Sequence, residues 1–371
     1  MAARRRRRGP ARPCARSQGR GGARPASEGS LDESTSRLDG ITGFIERDRR
    51  DIVLVDEIFI KEGAVMLRPQ AAVCAEGETF GLFLTLTLVD NQEAGPTVRR
   101  VAAALPALTA TVAEQLGEPT LVSAIGFGAA VWSRLFGLSQ PKALVPFEAL
   151  ADGPRLAPAT AADLLIHIHS SRHDANFALA REVMERLQGA VDLVEEIHGF
   201  RRFQDRDLIG FVDGTENPKG EERAAVALVG DEDADFAGGS YVDVQRYVHD
   251  LRRWERLAVV EQEAAVGRTK SDDLELGDDV KAPSAHIARV VIEEDGKELE
   301  IVRHSLPYGT TSEHGLYFIA YGASPAPFRK MLARMILGDE NGHHDRLLDF
   351  SRAVTGASFF VPSLGFLEGL A

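Results

Sequence analysis

The residues with the clearest chemical potential sit in the stretch 197–218, IHGFRRFQDRDLIGFVDGTENP, where Asp213 is framed by Gly210 and Gly214. Glycine lets a backbone turn tightly or lie close against a flat ligand. An aspartate held in such a turn can carry a proton to or from whatever fills the space beside it. A lone Asp-Gly pair is more simply an Asx-type turn closing a strand, so the longer string carries the weight. Arg303 and Ser305 alternate in IVRHSLPYG at 301–309 and share one face if that segment is a strand. A guanidinium on an otherwise apolar face calls for either a polar pocket or an ordinary salt bridge. His286, in KAPSAHI at 281–287, follows an acidic loop and enters a predicted strand. A neutral imidazole aimed into a cavity there is a candidate metal ligand, with a structural histidine as the alternative.

The other histidines say less. His167 and His169 alternate on one predicted strand, and with His173 nearby they imitate a metallohydrolase H-x-H. Such sites recruit further ligands with outer-shell support. None stands at a telling spacing, so these histidines are expected in a sheet or at a subunit contact. His343 and His344 lie in a Gly-Asn loop and are expected to be solvated, while His198, His249, His304 and His314 have no motif argument.

Hydrophobic periodicity supplies the elements that must hold these groups. Residues 80–89 (FGLFLTLTLV) read as a buried strand, 98–116 as a helix, 120–127 as a strand followed by a short helix through Trp132 and Leu135. Residues 163–169 read as a strand, 174–187 as a helix and 191–197 as a strand. After the glycine stretch come a strand at 239–248, a helix at 257–266, and a hairpin of 287–292 with 299–305 around Asp295-Gly296. A strand at 316–321 and a helix at 325–337 close the pattern. Helices layered on antiparallel sheets make this an α+β chain, and the β-α-β-β-α-β order is that of a duplicated ferredoxin-like unit. The expected division is a basic extension at 1–62, an N-terminal domain at 63–206 and a C-terminal domain at 207–371.

Composition narrows the function. The 371 residues carry a formal charge of -13, which argues against nucleic acid as a partner. Cys14 and Cys74 are the two cysteines, too few for a disulfide framework, so a cytoplasmic protein is expected. No apolar run reaches membrane-spanning length. The arginine block of the first 40 residues lacks an apolar region after it, so it is expected to be disordered rather than an export signal. Residues 41–65 resemble nothing identifiable.

In chain order, GFVDGTENP, the AGGSY–Q–H run at 237–249, GRTK at 267–270, the His286 context, IVRHSLPYG and TG–FF–PS at 355–363 resemble the class B branch of the dye-decolorising peroxidases. The likeness runs from about residue 66 to 370. It implies two ferredoxin-like domains and one haem b per chain, with the haem mainly in the second domain. It implies reduction of hydrogen peroxide, oxidation of dyes or other small reductants through an oxoferryl intermediate, and self-association. By position, His286 matches the iron ligand, Asp213 and Arg303 the distal catalytic pair, and Ser305 the polar residue beside them. Gly214 and Thr215 fall in the cofactor-binding stretch, and Arg268 matches a basic residue near a haem propionate. Asp345, with Asp349 as competitor, matches the carboxylate that accepts from the ligand histidine. Tyr247, Trp254, Tyr308 and Tyr321 are candidate electron exits. The chain is expected to lack a nanocompartment-loading tail after 365–371. Rival readings are a haem-handling protein and a metal hydrolase built on His167 and His169.

Overall fold

The computed structural model describes residues 68–77, 79–137 and 139–370, all within one compact unit. The basic extension, Cys14 and residues 41–65 lie outside the described residues.

In the first half, β1 (Phe80–Leu88), β2 (Val122–Phe127), β3 (Leu164–Ser170) and β4 (Val191–Phe200) form an antiparallel sheet ordered β4-β1-β3-β2. In the second, β5 (Ser240–His249), β7 (Leu306–Gly309), β8 (His314–Gly322) and β9 (Ser351–Val361) are ordered β9-β5-β8-β7, with β6 (Val302–Arg303) also paired to β8. Each half sets its first strand between its third and fourth, which is the ferredoxin-like arrangement, twice. Single pairings at the seams, Tyr308 with Gly199 and Phe360 with Phe127, close the sheets into a barrel. Gly199 is needed at its seam, because a Cβ there would stand 2.7 Å from the Leu306 Cβ.

Strands buried on both faces read as continuous apolar runs, and β1 and β3 show why. Leu82, Leu84 and Leu86 face α1 (Ala94–Leu116) and α3 (His173–Arg186), packing with Val101, Leu105 and Leu179. The alternate residue Phe83 faces the barrel interior with Tyr317 and Ile319. Trp132 of α2 (Ala129–Phe136) packs in the helix-side core. The second half adds α4 (Val259–Val266), α5 (His286–Val290) and α6 (Ala326–Ile336).

The structure corrects the sequence reading in several places. Residues 287–292 are not a strand: the chain forms the short helix α5 instead. On it, Val290 borders one cavity together with Ile287 at i,i+3 and His286 at i,i+4, spacings that put residues on one helix face. Tertiary burial of that face overrides the β-branched bias. The hairpin exists but is smaller, pairing Glu293–Glu294 with Lys297–Glu298. Its turn has φ of 52° at Asp295 and 74° at Gly296, as a two-residue hairpin loop requires. The expected strand at 299–305 shrinks to Val302–Arg303. The strand β9 was not anticipated, because a bulge between Ala353 and Thr355 breaks its alternation.

His167 and His169 lie buried inside the barrel with His304 and Tyr321, and the Nδ1 of His167 is 3.0 Å from the Tyr321 hydroxyl. His343 and His344 are not merely solvated: each meets a carboxylate, Asp339 at 3.1 Å and Asp349 at 3.3 Å.

Candidate functional site

The Gly210–Asp213 loop is built on a small core of its own. Ile209 and Phe211 are buried against Trp254, Val266 and Phe350. The Trp254 indole N–H donates to the Ile209 carbonyl at 2.9 Å, and the Asp207 carboxylate accepts from the Ile209 N–H at 2.7 Å. Gly210 adopts a φ of +94°, so the chain can double back at Asp207. The Asp213 N–H then donates to the Asp205 carbonyl at 2.9 Å. Truncation of Trp254 to alanine should cost about 3–5 kcal/mol, and chemical denaturation of the variant measures it.

Arg303 is fixed by its backbone. The Asn217 carboxamide accepts from the Arg303 N–H at 2.8 Å and donates to the Arg303 carbonyl at 2.9 Å. This two-point clamp joins the aspartate loop to β6, and the guanidinium makes no ion pair among the described residues. Ser305 is different. Its hydroxyl accepts from the Ile319 N–H at 3.3 Å and it does not border the cavity.

His286 opens α5, and its Nδ1 lies 2.6 Å from Asp345 Oδ2. Asp345 is fully buried, and its other oxygen accepts from the Leu347 N–H at 2.9 Å. The Arg346 N–H donates to the Ser284 carbonyl at 3.0 Å, which ties the carboxylate's loop to the residues before His286. Nε2 is left as the ring nitrogen without a hydrogen bond among the described residues, and the imidazole keeps 26% of its surface where it borders the cavity. Burial pulls the imidazole pKa down, but the charge and hydrogen bond of Asp345 outweigh it and hold it above its ordinary value. Asp349 is directed elsewhere, toward His344.

One cavity of about 250 Å³ brings together Asp213, Gly214, Thr215, Arg268, His286 and Arg303. Burial raises the Asp213 pKa and nearby Asp207 adds to the shift, while the positive charges of Arg303 and His286 oppose it without cancelling it. Arg268 is held by Asp273 at 2.8 Å and Glu216 at 3.1 Å, and Thr215 donates to the same Asp273 at 2.5 Å. Of the candidate electron exits, Tyr247 borders the cavity, Trp254 backs the aspartate loop, Tyr308 meets Arg246 at 2.9 Å and Tyr321 lies in the barrel interior.

Sequence reasoning missed Asn217, Asp273, Gln245 and His249. Asn217 stands inside the quoted GFVDGTENP string, but nothing in its spacing reveals a clamp on a strand 86 positions away. Asp273 sits at a φ of +56° in an acidic stretch that looked only like loop. Gln245 and His249 alternate with Tyr247 on β5, and all three border the cavity.

Comparison with known proteins decides the family. Residues 70–201 match the model of the Dyp-type peroxidase N-terminal domain, and residues 204–366 that of the C-terminal domain. The chain belongs to the Dyp-type peroxidases. A dye-decolorizing peroxidase of Mycolicibacterium paratuberculosis is 47% identical over 291 residues, covering 77% of this chain and 81% of the relative. One from Mycobacterium tuberculosis is 44% identical over 290 residues, covering 77% and 86%. Among solved structures, DyPB of Rhodococcus jostii superposes with a TM-score of 0.79 at 43% identity, covering 81% of this chain and 98% of that one. A variant of that protein was solved in complex with heme, at a TM-score of 0.78 and 42% identity, covering 81% and 98%. As a Dyp-type peroxidase the protein binds haem, reduces peroxide and oxidises one-electron donors such as dyes, which sets aside the haem-handling reading. No helix among the described residues is long and apolar enough to cross a membrane.

Proposed function

We propose that the peroxidase carries one haem b per chain, ligated by Nε2 of His286, with Asp213 and Arg303 doing the peroxide chemistry. The observation that carries this reading is His286, backed by Asp345 at 2.6 Å, bordering the same cavity as Asp213 and Arg303. The cavity's donors suit a large flat cofactor with polar edges. Gln245 Nε2 is buried there without a hydrogen-bond partner among the described residues, a costly state unless a polar group arrives. Arg268 supplies a guanidinium for a propionate, and the surrounding walls are largely apolar.

Bound haem supplies a redox-active iron at which the O–O bond of peroxide is broken. The chain's residues do the rest. Asp345 accepts a hydrogen bond from Nδ1–H of His286, fixing the ring's tautomer and raising the basicity of Nε2. Asp213 takes the proton from the incoming peroxide and returns it to the departing oxygen. Arg303 holds fixed positive charge where negative charge builds as the bond parts. Gly214 and Thr215 shape the same wall, and Asn217 keeps Arg303 in register with Asp213.

A pH dependence follows. A carboxyl group with a raised pKa stays protonated to higher pH, so the proton acceptor disappears as pH falls through that raised value. The peroxide reaction should therefore slow on the acid side with a midpoint above the ordinary carboxylate range. Stopped-flow rates against pH measure this limb, and Asp213→Asn should abolish it. A limb that survives in Asp213→Asn would remove Asp213 as the proton carrier.

The same proposal places the enzyme in the cytoplasm and divides it at 63–206 and 207–371. It includes self-association, supported by Leu193 and Val194 on β4 and Phe177 on α3, which are all exposed. A neighbour from Mycobacterium smegmatis is described as an encapsulated DyP-type peroxidase.

A further inference from the structure

The helix that carries His286 is too short to hold itself in place. α5 has five residues, and helices under about 12 residues are marginal in water without outside support. Part of that support comes from α6. Arg334 donates to the Ala288 carbonyl at 2.8 Å and to the Val291 carbonyl at 3.1 Å, taking up acceptors that a helix end leaves open. Arg289 answers from α5, where its Nε donates to the Arg334 carbonyl at 2.8 Å. The exchange brings two guanidinium groups close together. Burial, and after it the charge of Arg289, pull the Arg334 pKa below its ordinary value. Arg289 is itself buried, so its charge needs a partner.

Asp339 is that partner, with Oδ2 at 3.3 Å from Arg289 Nη1. Its carboxylate also closes the loop that leads to Asp345. Oδ1 accepts from the N–H groups of Asn341 and His343, both at 2.9 Å, and Oδ2 lies 3.1 Å from His343 Nδ1. The backbone N–H of His343 above all, then its ring and the Asn341 N–H, outweigh burial and hold the Asp339 carboxyl down at about 2. Both ends of the loop are tied. Where it leaves α6, Asp152 accepts from the Gly338 N–H at 3.0 Å and Arg155 donates to the Ile336 carbonyl at 2.8 Å. At its far end the Asp345 N–H donates to the Met335 carbonyl at 3.1 Å. One loop therefore meets α5 twice, at Arg289 through Asp339 and at His286 through Asp345.

We propose that Asp339 is a positioning residue for the iron ligand: by pairing with Arg289 it fixes α5, and so keeps the His286 ring aligned with Asp345. The inference rests on His286 as the iron ligand and adds a second tie three residues along the same helix. Neither Asp339 nor Arg289 borders the cavity, so both act through His286. With the tie cut, α5 can shift against the loop and the Nδ1–H bond to Asp345 weakens. Nε2 then becomes a poorer donor to iron, since that hydrogen bond is what enriches it.

The test uses the haem-loaded full chain as wild type, Asp339→Asn, Arg289→Gln, the double variant and His286→Ala. Asparagine keeps the size of Asp339 and an oxygen for the Asn341 and His343 N–H groups, and the native side chain is 32% exposed, so that variant should fold. Two quantities are read: the rate of haem transfer to apomyoglobin, and the iron–imidazole stretching frequency of the reduced protein by resonance Raman. Each single variant should lose haem about tenfold faster, the low end for an outer-shell partner. The double variant should be no faster than either, because both changes cut one tie. The stretching frequency should fall in all three, a signature that lowered stability alone does not produce. Wild-type rates and frequency in both single variants would overturn the proposal. So would faster haem loss at an unchanged frequency, or losses that multiply in the double variant, since either makes the residues merely structural. An iron–imidazole band that persists in His286→Ala would bring down the ligand assignment and this proposal with it.

Discussion

Arg303→Ala is expected to slow the reaction with hydrogen peroxide by about 10²–10³-fold, the loss typical of one preorganised charge-stabilising donor. The geometry makes this a clean substitution. The backbone of Arg303 is held by Asn217 at both its N–H and its carbonyl, so truncating the side chain leaves β6 in place. The guanidinium pairs with no carboxylate among the described residues, so its removal orphans no buried partner. What disappears is positive charge facing Asp213, and with it the stabilisation of charge on the departing oxygen. Arg303→Lys should recover only part of the rate, since an ammonium lacks the planar fork. Stopped-flow mixing with peroxide measures both variants. A rate within a few-fold of wild type in Arg303→Ala would transfer the role elsewhere.

His286→Ala should lose haem retention and also weaken the fold. The substitution removes the ring nitrogen proposed to grip the iron and leaves Asp345 fully buried with one oxygen unpartnered. Breaking a buried charged pair from one side costs about 3–5 kcal/mol, which denaturation of the haem-free variant measures. Asp345→Asn in the same background should return part of that stability by removing the stranded charge. Added free imidazole should restore haem binding by refilling the cavity beside Asp345. Asp345→Asn alone should weaken haem affinity by about 10–100-fold, as loss of outer-shell support does elsewhere.

The two ferredoxin-like halves were legible because their strands and helices carry strong periods. The apolar runs of β1 and β3 and the spacing of Val101, Leu105 and Val112 on α1 are local signals. The barrel closure was not legible, since it rests on single cross-seam pairs that join Tyr308 to Gly199 and Phe360 to Phe127. The element bearing His286 was misread for a related reason. Ile287, Val290 and Val291 favour a strand by type, and only the cavity they border makes a helix the better burial. Asp345 could be named only by resemblance. Its place behind His286 depends on the turn Arg346–Asp349, which Asp345 itself caps. Ser305 shows the opposite failure. Face-sharing with Arg303 assumed an unbroken strand, but the ladder is interrupted between Val302–Arg303 and Leu306–Gly309. The hydroxyl turns instead to the Ile319 N–H.

The central claim, one imidazole from α5 holding an iron porphyrin in the cavity shared by Asp213 and Arg303, is tested most directly by absorption spectroscopy during a haemin titration. Wild-type protein should develop a Soret band that saturates at one haemin per chain and changes on addition of one equivalent of peroxide, and His286→Ala should give neither response until imidazole is added. A wild-type chain that takes up no haemin, or a His286→Ala spectrum identical to wild type, would contradict the account.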